Sequence, residues 1–381
     1  MLEIAALFVA LAAASTISLY RLALRRLAEG TPEIRAPERR RVPPVAFLTC
    51  TRADEALIDD KLANLAACRA AAPGSRALLF VDGGEPPAGA PEGVEILSSR
   101  RRVGKIEGLN RLLSEARAEV AVMSDVNVFL DPEPVREAAR HFGDPEIGAI
   151  QLVVENRQEV SELAGALGGY ARSDLETSAL ESRLGSMVHL DGSACAVRTK
   201  HLRRLEPGMA DDQAIAFDVL LDGGRIVLHP ERAAYEIGRT SLRSEIARKV
   251  RVACNSFCAH LHFRERLHVL PWRLKLFYVF HKYLRWLLPF QLALLGLLLS
   301  VILWRAMGLQ AFLGTTVLGL AVLTLAAQAS ERVRRAVVLV VFLIASGWGV
   351  ARACAGRRFV SWQGSRTQAD LGMPDEKERT A

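Results

Sequence analysis

The middle of the chain alternates short apolar runs with amphipathic segments. The apolar runs predict β-strands at VAFLTCT (45–51), RALLFVDGG (76–84), VAVMSDVN (120–127) and IGAIQLVV (147–154). The segments between them space their apolar residues as a helix does, and predict α-helices at 53–71, 104–116 and 133–144. Because predicted strands alternate with predicted helices, the pattern indicates an α/β fold with a mostly parallel, doubly wound sheet.

Long stretches without any charged residue lie at both ends of the chain. They cover 4–20, 286–304, 306–330 and 336–351. These lengths are near the ~17 to 25 residues that cross a bilayer. We therefore expect an N-terminal signal-anchor helix at 1–22 and a C-terminal membrane region at 286–354, with segments at 286–304, 311–328 and 336–351.

The charges around the first segment predict its orientation. The small residues of ALAAAS would suit a cleaved signal peptide, but that alternative requires an early positive region, and the only early charge is Glu3. Arg21, Arg25 and Arg26 follow the segment and hold that flank in the cytoplasm. The sequence thus predicts a multi-pass protein of the cell inner membrane with the charged middle of the chain in the cytoplasm.

The last apolar segment is the hardest to place. Its sixteen uncharged residues, 336–351, rise about 24 Å as a helix, less than the ~30 Å hydrocarbon core. A full crossing would also put Arg352, Arg357 and Arg358 outside, against the charge bias. We expect a re-entrant or interfacial helix that leaves ERVRR (331–335) and FVSWQGSR (359–366) in the cytoplasm.

Composition narrows the function classes. The net charge is +7, but the basic stretches contain few aromatic residues on which bases could stack, so nucleic acid is not an expected partner. The six cysteines are scattered without a CxxC pair, as is usual in a reducing compartment. Cys254, Cys258, His260 and His262 have a spacing that suits either a zinc site or one face of a helix.

Polar residues follow three of the predicted strands. They are Thr49 to Asp54, Asp82, and Asp125 with Asn127. A buried unpaired carboxylate is costly, so Asp125 either caps a turn just outside its strand or, with Asn127, provides oxygen ligands for a hard cation. Parallel strands bring their carboxyl ends to the ligand crevice of an α/β sheet. This convergence favours a cation site.

The order of the motifs resembles a known family. KLANL, VDGG, GKIEGLN, SDVN, FGDPEIGAI, ESRLGS, DGSACAVR, DDQAIAFDVLLDGGRIVLHPE and HKYLRWLLPF follow one another between about 42 and 290. This order is similar to that of bacterial membrane-bound family 2 glycosyltransferases, relatives of the hyaluronan and cellulose synthases. The resemblance implies a GT-A catalytic domain at 42–240, amphipathic interface helices at 241–285 and a C-terminal tail at 355–381.

The resemblance also implies a donor site. Family members bind a nucleotide-activated sugar with Mg²⁺ or Mn²⁺ and transfer the sugar with inversion. Asp125 and Asn127 match the metal-binding Asp-x-Asp, with an amide in place of the second acid. Asp82 matches the acid that contacts the nucleoside, and Lys105 matches the basic residue near the diphosphate. Ala53-Asp54 stands where the family commonly has Asn-Glu, which leaves the choice of nucleobase open.

The remaining site residues follow from the same resemblance. Asp212 matches the catalytic base and Asp211 the acid before it, although both would also suit a helix N-terminus. Asp191 is expected near the donor sugar. RKVRV stands where processive synthases have Gln-x-x-Arg-Trp, so Arg248 and Arg251 are candidates for the diphosphate, while Val252 replaces the Trp that stacks on the acceptor sugar.

The sequence therefore predicts a membrane-anchored inverting glycosyltransferase. A UDP-sugar is favoured over a GDP-sugar as donor, and a lipid-linked molecule or a polysaccharide is expected as acceptor, with polysaccharide export proteins as further partners. A polyprenyl-phosphate sugar synthase is the alternative enzyme. A non-catalytic nucleotide-sugar-binding partner of another synthase is the alternative from a different class; both acids, Asp125 and Asp212, are present, which argues against it.

Overall fold

An eight-stranded mixed sheet forms the centre of the protein. The computed structural model describes residues 1–36, 42–87, 89–157, 162–237 and 241–360. Its strands are β1 Val45–Arg52, β2 Arg76–Asp82, β3 Val94–Ser99, β4 Val120–Ser124, β5 Val128–Leu130, β6 Ile147–Asn156, β7 Ala194–Arg198 and β8 Arg225–Glu236. They lie in the order β3-β2-β1-β4-β7-β6-β8-β5. Strands β1 to β4 are parallel to one another, as predicted, whereas β7 runs antiparallel between β4 and β6.

Helices cover both faces of this sheet. Those of the sheet domain are α3 Ile58–Ala71, α4 Lys105–Glu115, α5 Pro132–Ala139, α6 Glu162–Arg183 and α7 Asp211–Leu221. Along β2, Leu78 and Phe80 belong to the core on the α4 side, while Ala77, Leu79 and Val81 belong to the core on the α3 side. This alternation is the period of two that an apolar strand buried on both faces requires.

The helices that flank the sheet domain differ in length and in apolar content. They are α1 Leu2–Ala14, α2 Tyr20–Leu27, α8 Leu242–Phe263, α9 Trp272–Tyr278, α10 Leu284–Met307, α11 Leu309–Ala329 and α12 Glu331–Cys354. Short π-helical turns join α1 to α2 and α9 to α10. Three stretches, Trp272–Met307, Leu309–Ala329 and Glu331–Cys354, are long and apolar enough to cross a membrane, whereas Leu2–Ala14 is shorter.

Helix α12 is longer than the sequence pattern suggested. It has 24 residues, because it continues through Arg332, Arg334 and Arg335 at its start and Arg352 near its end. Long basic side chains can extend out of an apolar environment and so need not end a helix. The helix is therefore long enough to span a bilayer, and the expectation that the segment is too short was wrong.

The second half of α12 packs along α8. A Cβ on Gly349 would lie 2.4 Å from the carbonyl oxygen of Val250, so the two helices approach so closely that only glycine fits there. After α12, the chain stays on α8: the Cys254 thiol donates to the Arg357 carbonyl at 3.3 Å, and the Asn255 amide donates to that of Phe359 at 3.2 Å. The end of α12 and the residues that follow it thus lie against α8. The rest of FVSWQGSR, 361–366, lies outside the described residues.

Candidate active site

Two carboxylates and one ammonium meet at the carboxyl edge of the sheet. Asp125 directly follows β4, and its position is fixed by its own backbone N–H, which donates to the Ser193 carbonyl at 3.1 Å. The Lys105 Nζ lies 2.9 Å from Asp125 Oδ1 and 3.1 Å from Asp211 Oδ2. Although burial favours the neutral amine, Asp125 and Asp211 hold the pKa of Lys105 well above its usual value. A single cation therefore bridges two acids from separate elements.

Asp82 holds the start of α4. Its Oδ1 accepts the backbone N–H of Val103 at 2.7 Å, and its Oδ2 accepts that of Gly104 at 3.1 Å. Gly104 has φ +89°, which side chains other than glycine rarely tolerate. Asp82 and Gly104 together fix the backbone from which Lys105 extends. The nucleoside contact expected for Asp82 stays a prediction. In this structure the Asp82 carboxylate is hydrogen-bonded to the loop before α4.

The adjacent acids of α7 point to different neighbours. Asp211 faces Lys105, whereas Asp212 accepts the backbone N–H of Gly192 at 3.2 Å and that of Gln213 at 2.7 Å. Burial, together with the nearby carboxylates of Asp211 and Asp191, raises the pKa of Asp212 from 3.8 to about 7. Such a carboxyl group exchanges its proton near neutral pH, as a general base must.

Three other predicted site residues follow or precede strands at this edge of the sheet. Asn127 donates its amide N–H to Glu236 Oε1 at 2.8 Å. Asp191 is exposed and accepts the Ser193 backbone N–H at 2.9 Å. Asp54 forms ion pairs with Arg52 and Arg102. Partial burial would raise the pKa of Asp54, but these guanidinium groups lower it. Asn127 and Asp191 thus border the acid cluster, while Asp54 lies beside the ends of β1 and β2.

The acids present fit a hard divalent cation. Mg²⁺ and Mn²⁺ prefer oxygen ligands, and the carboxylates of Asp125 and Asp211 already converge on one positive charge. Asn127 was the second ligand expected from the sequence. The Asn127 amide nitrogen donates to Glu236. The second carboxylate beside Asp125, on the same Lys105 ammonium, is that of Asp211.

The two arginines of RKVRV have different surroundings on α8. Arg248 forms a two-point ion pair with the buried Glu245, at 2.8 and 2.6 Å, so its guanidinium is held on its own helix. For Arg251, burial and the neighbouring Arg248 lower the pKa, while Asp125 and Asp211 act in the opposite direction. Arg251 is therefore the one of the two that is electrostatically coupled to the acid cluster. Val252 is 43% exposed.

Lys61 is a buried residue near the site that the sequence did not single out. Its ammonium donates to Ser124 Oγ at 2.8 Å and also to the carbonyl of Val128. Burial lowers the pKa of Lys61 to about 7. Because both acceptors flank Asp125, Lys61 holds the loop that presents this acid. The signal available was a lysine on the apolar face of KLANL.

A second polar cluster joins the sheet domain to the segment that leads into the C-terminal apolar helices. The His281 ring is hydrogen-bonded to the carboxylates of Glu181, with Nδ1 2.8 Å from Oε1, and of Asp174, with Nε2 3.1 Å from Oδ1. His189 Nε2 lies 3.7 Å from Asp174 Oδ2. Burial alone would raise the pKa of Asp174, but His189, His281 and Arg285 hold it well below its usual value. Within the described ranges, Asp174, His189 and His281 are the group whose ligand atoms come within 4.8 Å of one another.

Cys254, Cys258 and His260 of α8 form hydrogen bonds to the segments packed on this helix and do not form a metal cluster among the described residues. The thiols of Cys254 and Cys258 donate to the Arg357 carbonyl, and His260 Nδ1 is hydrogen-bonded to the Tyr278 hydroxyl at 2.5 Å. Their spacing thus serves helix packing, and the zinc alternative raised from the sequence finds no converging ligand set among the described residues.

Comparison with known families decides what kind of protein carries this site. The model of the family described as "Glycosyl transferase family group 2" matches residues 120–349, which contain Asp125, Asp211 and Asp212. The chain belongs to this glycosyltransferase family. The resemblance drawn from the motifs is thereby confirmed. No curated protein matches the chain.

The fold of this glycosyltransferase is shared with a solved structure. The mannosyltransferase PcManGT from Pyrobaculum calidifontis, solved with GDP-Man and Mn²⁺, is similar with a TM-score of 0.71 at 20% identity, over 94% of this chain and 100% of that chain. S. aureus TarS 1-349 has a TM-score of 0.40 at 12% identity, over 70% of this chain and 92% of its own. Mannosyl-3-phosphoglycerate synthase from Rubrobacter xylanophilus has a TM-score of 0.40 at 15% identity, over 60% and 77%. The similarity to PcManGT confirms the GT-A fold expected from the sequence.

Proposed function

We propose that this protein is an inverting glycosyltransferase that moves a sugar from a nucleotide-sugar donor to a lipid-linked or polysaccharide acceptor at the cytoplasmic face of the membrane. The observation that carries the proposal is the pair of acids at the start of α7. Asp211 joins Asp125 around a cation, while Asp212 is held by two backbone amides with its pKa raised to about 7. Asp212 takes the proton of the acceptor hydroxyl.

The donor's diphosphate lies on the side of Lys105, Asp125 and Arg251. These residues offer two cations and one metal ligand, and Asp211 completes the ligand set. Asp125 and Asp211 would hold Mg²⁺ or Mn²⁺ there, and the ion would supply neutralisation of the charge that develops on the leaving diphosphate. Lys105 and Arg251 bind the remaining phosphate oxygens by charge-assisted hydrogen bonds. Asp82 keeps Lys105 in place through the loop that starts α4.

The acceptor approaches from the side of Asp212 and the membrane helices. Three apolar helices suited to a bilayer are joined to the domain by the Asp174–His281–Glu181 contacts, and α8 lies between the site and α12. An acceptor held in the membrane would therefore meet the base without leaving the lipid surface. This arrangement supports a lipid-linked acceptor in particular.

A donor panel tests the proposal. Membranes containing the protein should release UDP or GDP from one of a set of UDP-sugars and GDP-mannose, with transfer to endogenous lipid or glycan. GDP-mannose is included because PcManGT binds GDP-Man. Asp125→Ala should weaken metal-dependent donor binding, whereas Asp212→Ala should leave donor binding intact and abolish transfer. Equal donor affinity of wild type and Asp125→Ala at saturating Mn²⁺ would remove the metal role, and turnover of no donor would remove the enzyme.

A further inference from the structure

The place expected for a divalent cation is taken by a side chain of the protein itself. The Lys105 ammonium lies within 3.1 Å of both Asp125 and Asp211. These three residues come from the start of α4, the end of β4 and the start of α7, so the contact is made by the tertiary fold. Any ion bound by both carboxylates would lie where this ammonium now lies.

An ammonium and a divalent ion cannot share this position. A metal needs the same carboxylate oxygens at about 2.0 to 2.6 Å, and two cations at such short range repel each other strongly. The charges of four residues balance without a metal: Asp125 and Asp211 face Lys105, and Arg251 is electrostatically coupled to both acids. A divalent ion added to these four residues would give them a net positive charge.

A diphosphate changes this balance. It brings several negative charges and phosphate oxygens that a lysine binds well. The Lys105 backbone is fixed by Asp82 and Gly104, but its side chain keeps 26% of its surface exposed and can reorient. Once the ammonium contacts phosphate, both carboxylates become available to a metal.

We propose that Lys105 is a built-in counter-ion that keeps divalent cations out of the donor-free site, and that the donor's diphosphate admits the metal by drawing the Lys105 ammonium away from Asp125 and Asp211. The inference rests on the proposed function for the identity of the diphosphate. It makes metal and donor binding mutually dependent: each raises the affinity of the other. It also gives the cell a protein that holds its metal only when a donor is present.

Binding of Mn²⁺ to the purified full-length protein tests the first half. Free Mn²⁺ is measured by its electron paramagnetic resonance signal, without nucleotide, for wild type, Lys105→Met and Lys200→Met. Lys200 is exposed and lies outside the acid cluster, so its variant controls for the loss of one positive charge. Lys105→Met should bind Mn²⁺ about tenfold more tightly than wild type, and Lys200→Met should not. Equal Mn²⁺ affinity of wild type and Lys105→Met overturns the proposal.

The second half is tested by adding UDP or GDP. In wild type, the matching nucleotide should raise Mn²⁺ affinity by about tenfold or more, and in Lys105→Met this gain should be much smaller. The nucleotide's own binding of Mn²⁺ is the same for both proteins and cancels in the comparison. An equal gain in both overturns the inference. These experiments measure metal binding and not sugar transfer. If both predicted binding results are found in a protein that turns over no nucleotide sugar, this inference is supported and only the enzyme proposal is overturned.

Discussion

The buried carboxyl group of Asp212 gives a prediction in which stability and activity move in opposite directions. Asp212→Asn should abolish transfer, because an amide cannot accept the acceptor's proton, and should stabilise the folded protein at alkaline pH. The reason is that burial and the neighbouring acids Asp211 and Asp191 raise the pKa of Asp212 from 3.8 to about 7. The folded state therefore holds a proton that the unfolded chain releases.

The sign and size follow from proton linkage. Between about pH 4 and pH 7 the folded state binds more protons at Asp212 than the unfolded state does, so stability falls as pH rises through this range and levels off above it. A shift of about 3 units, at ~1.36 kcal/mol per unit, corresponds to about 4 kcal/mol at pH 8 and about 2 kcal/mol at pH 5. Asparagine does not titrate, so the variant escapes this loss.

Thermal unfolding of the detergent-solubilised protein at pH 5 and pH 8 checks the prediction. For a domain of ~200 residues, 1 kcal/mol shifts Tm by roughly 2 to 4 °C, so Asp212→Asn should exceed wild type by roughly 10 °C at pH 8 and by about half as much at pH 5. Asp60→Asn, on an exposed position of α3, is the matched control and should show no such pH dependence. A Tm difference that is the same at both pH values, or transfer by Asp212→Asn, would refute the reasoning.

Further predictions concern the loop, the pH profile, the product and the topology. Lys61→Met should weaken donor binding in the presence of metal by roughly tenfold, since it removes the support behind Asp125, while Tm changes little; loss of folding instead would contradict the positioning role. The wild-type kcat should rise with pH through a single ionisation near 7; a flat profile from pH 5 to 8 would exclude Asp212 as the base. Mass spectrometry should find one or a few sugars added, because Val252 stands where processive relatives stack a Trp; a high-molecular-weight product would contradict this. The exposed Cys354 should react with an impermeant maleimide only after permeabilisation, whereas Gln310→Cys, beyond α10, should react in intact cells.

The sequence predicted those parts of the fold in which apolar residues recur at the spacing of a strand or a helix. In β4, five buried residues end directly at Asp125, and a run of this kind predicts both a strand and the polar residue at its edge. The antiparallel direction of β7 could not be predicted, because ACAVR is buried along its whole length and such a run has no signal for direction. The start and end of α12 were missed because arginines were taken as boundaries.

Contacts between distant segments account for what was missed at the site. Asp174 and His281 are 107 positions apart, and Lys61 lies 63 positions before Ser124. No spacing rule connects such residues, so the sequence could propose each acid but not its partner. Lys105 was identified as a phosphate-binding residue by resemblance; only the structure brings it to Asp125 and Asp211.

The two acids of ADDQAI illustrate how local geometry divides one motif between two tasks. Successive residues of an α-helix are about 100° apart around its axis, so adjacent carboxylates at the start of α7 must face different neighbours. Asp211 lies beside the Lys105 ammonium, whereas Asp212 accepts backbone amides in a buried position beside other acids. Burial and the nearby carboxylates of Asp211 and Asp191 raise the pKa of Asp212 to about 7, so Asp211 contributes to the shift of its neighbour. In the proposed enzyme, the residue that awaits the metal thus also tunes the residue that takes the proton.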